Sequence, residues 1–304
     1  MNRQTLMRAV LVVVGVMGAG LLVWAGSQGW IGPQGAAKRL LGSAQRASQQ
    51  GDWTGAQMKL EELIGTQPDS PWVDDALLAL SNVYEQQQQM AEARRVYQLL
   101  LERFPGSSLI SQAQSRLGAV NVAVLFSAAV TDADALYEVK PGDTLGRIAA
   151  AHHTTVDILK RANGLTGDLI HPRQKLKMPK GVFRLLVDKS QNELLMTQNN
   201  QFFKSYLVAT GEHNSTPVGT FKIVNKVPNP VWYRQGAVVP PDSPENILGT
   251  RWLGLNKQGY GIHGSVDLTA MGQQVTAGCV RMTNADVEEL FSIVPTGTEV
   301  TIVD

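Results

Sequence analysis

The chemistry of this chain is concentrated in one stretch near its C-terminus, "GIHGSVDLTAMGQQVTAGCVRMTNADV", which holds the only cysteine, Cys279. His263 precedes that thiol by sixteen residues, and Arg281 follows it by two. At neutral pH a thiol with an ordinary pKa of about 8.5 is ionised only to a few per cent. An imidazole at hydrogen-bond distance raises the reactive fraction and then shuttles the proton, so a Cys–His pair is equipped for acyl transfer through a thioester. Gly264 and Gly278 allow close backbone approach by a peptide substrate. A bend at "AGCV" would aim successive backbone N–H groups at a developing oxyanion. Spacing alone leaves this open, because a lone cysteine is more often a small buried apolar group and a lone histidine a satisfied polar one.

The surrounding sequence narrows the choice. "HG…TAGCVRMTN", with "ATGEHNSTPVGTFKI" and "ENILGTRWLGL" upstream, resembles the YkuD-type L,D-transpeptidases, with the motifs in family order. The resemblance implies that Cys279 is the nucleophile and His263 the general base. It implies that the Gly264 carbonyl orients the histidine, that Gly278 and Cys279 offer oxyanion-hole N–H groups, and that Arg281 shapes the site or holds a substrate carboxylate. Ala277 departs from the pattern, since many relatives carry a second histidine there; a secondary proton relay is lost and the main pair is kept. The substrate implied is peptidoglycan. Cys279 would attack the bond between the diamino acid and the terminal D-alanine of a stem tetrapeptide. An amine of another stem would then resolve the thioester into a 3→3 cross-link, with no metal or organic cofactor. The motif does not name the acceptor, so water (a carboxypeptidase) or a protein amine (wall anchoring) stays open. A wall-binding scaffold without catalysis is the reading from a different class. Papain-like peptidases reverse the Cys–His order, and sortases separate the two residues by far more sequence.

These residues need a scaffold, and from Gly181 the chain turns to short β-rich runs. Strands are expected at 182–187, 193–197, 202–210, 220–224, 252–255, 261–262 and 299–303, with one helix after Asn284 capped by Thr283 or Asn284. Residues 181–304 are therefore read as a mainly β catalytic domain. The long loop "PNPVWYRQGAVVPPDSPENILGTRW" is aromatic and Pro-rich. Tyr233 and Trp252, with Tyr260 near the site, are read as substrate-binding positions, against the plainer reading of packing under a loop.

Upstream, "YEVKPGDTLGRIAAAHHTTVDILKRANGLTGDLIHPRQKLKMP" predicts a strand, two short helices capped by Thr144 and by Thr154 or Thr155, and a closing strand. It resembles a LysM module, here residues 137–180. The resemblance implies binding of N-acetylglucosamine-containing glycan through Gly142, Asp143, Thr144 and Leu145, with Ile170 and His171 opposite. Arg173 stands where the family usually has glycine. His152 and His153 are adjacent rather than four apart, which argues against a helical metal pair.

Residues 36–127 read as helices repeating at an offset of 37, with Trp53, Ala56, Leu63, Pro68 and Ser70 matched by Met90, Ala93, Leu100, Pro105 and Ser107. This resembles tetratricopeptide-type repeats and would make either a protein-docking surface or a spacer. The segment 128–136 is expected to be a linker, as is 26–35. Residues 1–8 carry Arg3 and Arg8, and the apolar run 9–25 is long enough for a membrane anchor or an export signal. The whole describes a multidomain envelope protein with its bulk on the periplasmic side, anchored in the inner membrane if the run is uncleaved. Lys plus Arg at 27 against Asp plus Glu at 26 gives no electrostatic case for a nucleic-acid partner.

Overall fold

The computed structural model describes residues 33–304 apart from residue 235. The run 9–25 lies outside them, and no helix of the described residues is long and apolar enough to cross a membrane. The chain divides into two compact units between Gln88 and Gln89.

The first unit is helical, with α1 (Pro33–Gln49), α2 (Trp53–Thr66) and α3 (Val73–Gln86). Helix α1 starts inside the segment expected to be a linker, with a proline in its first turn, where the missing N–H costs nothing. Asp52 caps α2 by accepting the Gly55 N–H at 2.8 Å. The second unit opens with α4 (Met90–Arg103) and α5 (Ile110–Phe126). The repeat is visible in the helix starts, since both α2 and α3 recur 37 residues later, and Ala56, Leu63, Ala93 and Leu100 are all fully buried.

Next come β1 (Asp134–Glu138), α6 (Leu145–Ala151), α7 (Val156–Arg161) and β2 (Lys175–Pro179), the β-α-α-β order the sequence predicts. Strand β1 starts within the expected linker. The cause is a buried ion pair, Asp134 with Lys177 of β2 at 3.6 Å, set by the register Asp134↔Pro179. Thr144 caps α6 and Thr155 caps α7.

The rest is an eight-stranded sheet in the order β13-β11-β10-β7-β14-β3-β4-β5. Its strands are β3 (Phe183–Asp188), β4 (Glu193–Gln198), β5 (Gln201–Leu207), β7 (Gly219–Pro228), β10 (Arg251–Leu255), β11 (Gly261–His263), β13 (Val280–Arg281) and β14 (Glu299–Val303). Phe183, Leu185 and Val187 alternate inward along β3, the period-two pattern of a strand with one buried face. Helix α8 (Asn284–Ile293), capped by Thr283, buries Val287, Leu290 and Ile293 against the sheet. The strand expected at 202–210 is broken into β5 and β6 (Thr210–Gly211), and β6 pairs instead with β12 (Gln274–Thr276). The loop after β7 contains an unexpected hairpin, β8 (Trp232–Arg234) with β9 (Ala237–Val239).

The modules share their packing. Leu125 of α5 and Ile158 of α7 are buried in the same core as the sheet. Asn121 donates to the Phe203 carbonyl at 2.8 Å, and the Thr155 hydroxyl donates to the Ser292 carbonyl at 2.5 Å in the last turn of α8. Thr155→Ala, which removes a cap and a bond between modules, is expected to cost about 2 kcal/mol in urea unfolding of the full chain, with Thr155→Ser close to wild type.

Candidate active site

Three neighbouring strands set the site. In the sheet register Trp252 of β10 faces His263 of β11, and His263 faces Arg281 of β13. Cys279 sits one residue before β13. A cavity of about 710 Å³ is lined by all four side chains, with Asn225 and Val227 of β7 and Trp232 and Tyr233 of the unexpected hairpin.

His263 is only 2% exposed. Its Nδ1 lies 2.8 Å from the Gly264 carbonyl oxygen. A carbonyl can only accept, so Nδ1 carries the hydrogen and Nε2 keeps the lone pair. The Trp252 ring stacks on the imidazole, 6.0 Å between centroids and 22° between planes. Burial, reinforced by the Arg281 charge and opposed by the Gly264 carbonyl, pushes the His263 pKa down to about 4.

Cys279 is half-buried. Burial raises its thiol pKa, while a Gly261 backbone hydrogen bond and the Arg281 charge pull it back. The thiol also donates to the Gly259 carbonyl at 3.6 Å, and among the described residues no hydrogen bond joins it to the imidazole that the sequence led us to expect. The resting pair is therefore a neutral imidazole and a neutral thiol sharing one cavity. Catalytic hydrogen bonds often tighten only once substrate is bound.

The loop before the thiol is held by a residue that sequence reasoning missed. Thr276 donates to the Cys279 carbonyl at 2.6 Å and accepts the Gly278 N–H at 3.2 Å. A hydroxyl three residues upstream of a functional turn is a local side-chain-to-backbone motif and was the available signal. This corrects the oxyanion expectation: the Gly278 N–H is already engaged, which leaves that of Cys279 free among the described residues. Gly278 has φ +126, and a Cβ there would come within 2.8 Å of the Tyr260 ring, so only glycine fits. Tyr260 packs beneath Gly278 and lies outside the cavity lining, whereas Tyr233, at 75% exposure, is part of it. Arg281 is half-buried, and its Nε is buried without a partner among the described residues.

The LysM positions form a separate groove of about 360 Å³ that includes Asp143, Thr144, Leu145 and Ile170 but neither Gly142 nor His171. The Asp143 carboxylate braces its own turn, accepting the Lys140 N–H at 2.7 Å and the Tyr137 hydroxyl at 2.8 Å. Those two bonds hold its pKa below the usual carboxylate value. Arg173 takes a left-handed φ of +71, so it keeps the turn that glycine usually makes.

A half-buried thiol, a histidine with a free Nε2 and an arginine whose Nε has no partner among the described residues line one cavity, which suits acyl transfer on a peptide. Comparison with known proteins agrees on the class. The L,D-transpeptidase catalytic domain model of the YkuD family matches residues 183–302, the LysM domain model residues 137–179, and a tetratricopeptide repeat model residues 47–117. A putative L,D-transpeptidase YkuD of Bacillus licheniformis is 39% identical over 176 residues, covering 55% of this chain and 98% of that protein. The Bacillus subtilis protein of the same description is 38% identical over 173 residues, covering 55% and 97%. A solved L,D-transpeptidase from Mycobacterium smegmatis aligns at 16% identity and TM-score 0.35, over 43% of this chain and 63% of that one. The chain belongs to the YkuD family of L,D-transpeptidases, an assignment that rests on the sequence matches.

The depressed His263 pKa has a measurable consequence. Between pH 6.5 and 4 the unfolded chain binds a proton at this residue and the folded chain does not, so stability rises with pH across that window. Acidification from pH 6.5 to 4 is expected to cost about 3 kcal/mol through His263 alone. Urea unfolding of His263→Gln should lack that portion of the acid loss.

Proposed function

We propose that this chain is a cell-envelope L,D-transpeptidase that forms 3→3 peptidoglycan cross-links through a Cys279 thioester. The observation that carries the reading is that His263, with Nε2 free to accept a proton, and Cys279 line one cavity with Arg281. Because the resting pair is neutral, the thiol proton moves to Nε2 as Sγ attacks the carbonyl carbon of the diamino acid. The C–N bond to D-alanine then breaks, and D-alanine leaves with the proton from the imidazolium. The amine of a second stem attacks the thioester and gives its proton to Nε2, and the sulfur leaves and recovers it. The Cys279 N–H supports the oxyanion of each tetrahedral intermediate. Arg281, whose Nε has no partner within the described chain, holds a substrate carboxylate. Trp232, Tyr233 and Trp252 wall the peptide channel. The LysM groove holds glycan through Thr144, Leu145 and Ile170, with Asp143 keeping the turn in shape.

The full chain incubated with tetrapeptide muropeptides should yield 3→3 dimers and free D-alanine by liquid chromatography and mass spectrometry. Cys279→Ser should abolish both products, and His263→Gln should lower the rate by two or more orders of magnitude. Tripeptides without dimers would replace the transpeptidase with a carboxypeptidase, and unchanged muropeptides would leave a binding scaffold. The acid limb of kcat/KM should fall near pH 4, where His263 protonates, rather than near 6.5. A limb at 6.5 would contradict a buried neutral base.

A further inference from the structure

The LysM groove does not end at the edge of its own module. A second cleft, of about 460 Å³, lies between α6, α7 and the segment joining α8 to β14, with Ala149, His153 and Thr154 on one side and Phe291, Pro295 and Thr296 on the other. The groove and the cleft share two wall residues, Gly146 and Val156. We propose that they form one continuous site in which a single N-acetylated glycan strand lies across both the LysM module and the C-terminal domain. This extends, and rests on, the reading of the LysM groove as a glycan site.

Gly146 carries much of the case. It is the second residue of α6 and lines both the groove and the cleft. Packing does not demand it, because a Cβ built there meets no atom within 4 Å. What its missing side chain leaves is a low crossing between groove and cleft. The lining of the cleft suits a sugar. Phe291, Pro295 and Ala149 present apolar faces, and Thr296 and Asp157 bring polar groups. The Lys226 amine at the floor is spent on the Phe291 and Val294 carbonyls, the latter at 2.9 Å, so the cleft offers no free buried cation to select an anion.

A site that spans both modules must reward length. In titration calorimetry of the full chain, chitohexaose is expected to bind at least tenfold more tightly than chitotriose. Thr296→Trp obstructs the far end at an exposed position away from the LysM groove. It should remove most of that advantage while leaving chitotriose affinity unchanged. Gly146→Phe should likewise suppress the hexaose advantage. Equal affinity of the wild-type chain for the two oligomers would overturn the continuous site while leaving the LysM reading intact. So would a hexaose advantage untouched by a folded Thr296→Trp protein. Binding of neither oligomer would overturn the glycan reading itself.

Discussion

The hydrogen bond between His263 Nδ1 and the Gly264 carbonyl, 2.8 Å long at a histidine only 2% exposed, is the constraint on which the proposed chemistry depends. It fixes the tautomer, and the tautomer decides which nitrogen faces the reaction. Burial does the second half of the work. With its pKa pushed down to about 4, His263 rests neutral near pH 7, which leaves Nε2 able to accept a proton. The same burial raises the thiol pKa, and the two effects oppose a preformed ion pair. In the proposed mechanism, activation therefore comes from moving the proton to Nε2 during attack.

Holding that carbonyl in place needs unusual backbone density. A Cβ on Gly264 would collide with the Asn284 side chain and come within 3.0 Å of Val287, both on α8. Asn284 Oδ1 accepts the Thr250 N–H at 3.1 Å, tying the start of that helix to the strand beside the histidine. The Met282 N–H donates to the His263 carbonyl at 2.8 Å, and Ala209 and Arg281 exchange two backbone bonds at 2.8 Å each. Histidine and thiol are thus held through neighbouring strands rather than by a direct bond, which explains how their mutual orientation survives while the sulfur is hydrogen-bonded elsewhere.

Strand and helix periodicity, caps and glycine positions were open to sequence reading because each is a local physical signal. Thr144, Thr155 and Thr283 cap where a hydroxyl before an apolar run predicts it. What escaped was non-local. Asp134 reads as linker until its buried partner Lys177, 43 residues away, is seen beside it. The β8–β9 hairpin hid in a Pro-rich loop whose short runs carry too few alternations to register. Thr210 and Gly211 leave the line of β5 because β12, distant in sequence, claims them. At the site, residue types announced a Cys–His pair, but the neutral resting state depends on burial, and burial is a property of the assembled sheet. Arg173 shows the reverse case: a non-glycine residue holds a left-handed φ of +71 because the turn around it, including its N–H to the Val139 carbonyl at 2.8 Å, leaves no other path.

Helix α8 joins the two ends of this arrangement. Its first residue, Asn284, braces the backbone that carries His263. Its last turn exposes carbonyls that no residue of the helix can satisfy. Lys226 of β7 takes those of Phe291 and Val294, and Thr155 of the LysM module takes that of Ser292. The neighbours of Lys226 on β7, Asn225 and Val227, line the cavity with Cys279, as alternation along a strand requires. Helix α8 therefore touches both the LysM module and the backbone beside His263, while β7 lines the Cys279 cavity and ties to the end of α8 through Lys226. An element packed between them cannot shift for one without moving against the other, because interiors at native density have little room to absorb displacement. A shared core therefore fixes the distance and orientation between the LysM groove and the cavity that holds Cys279.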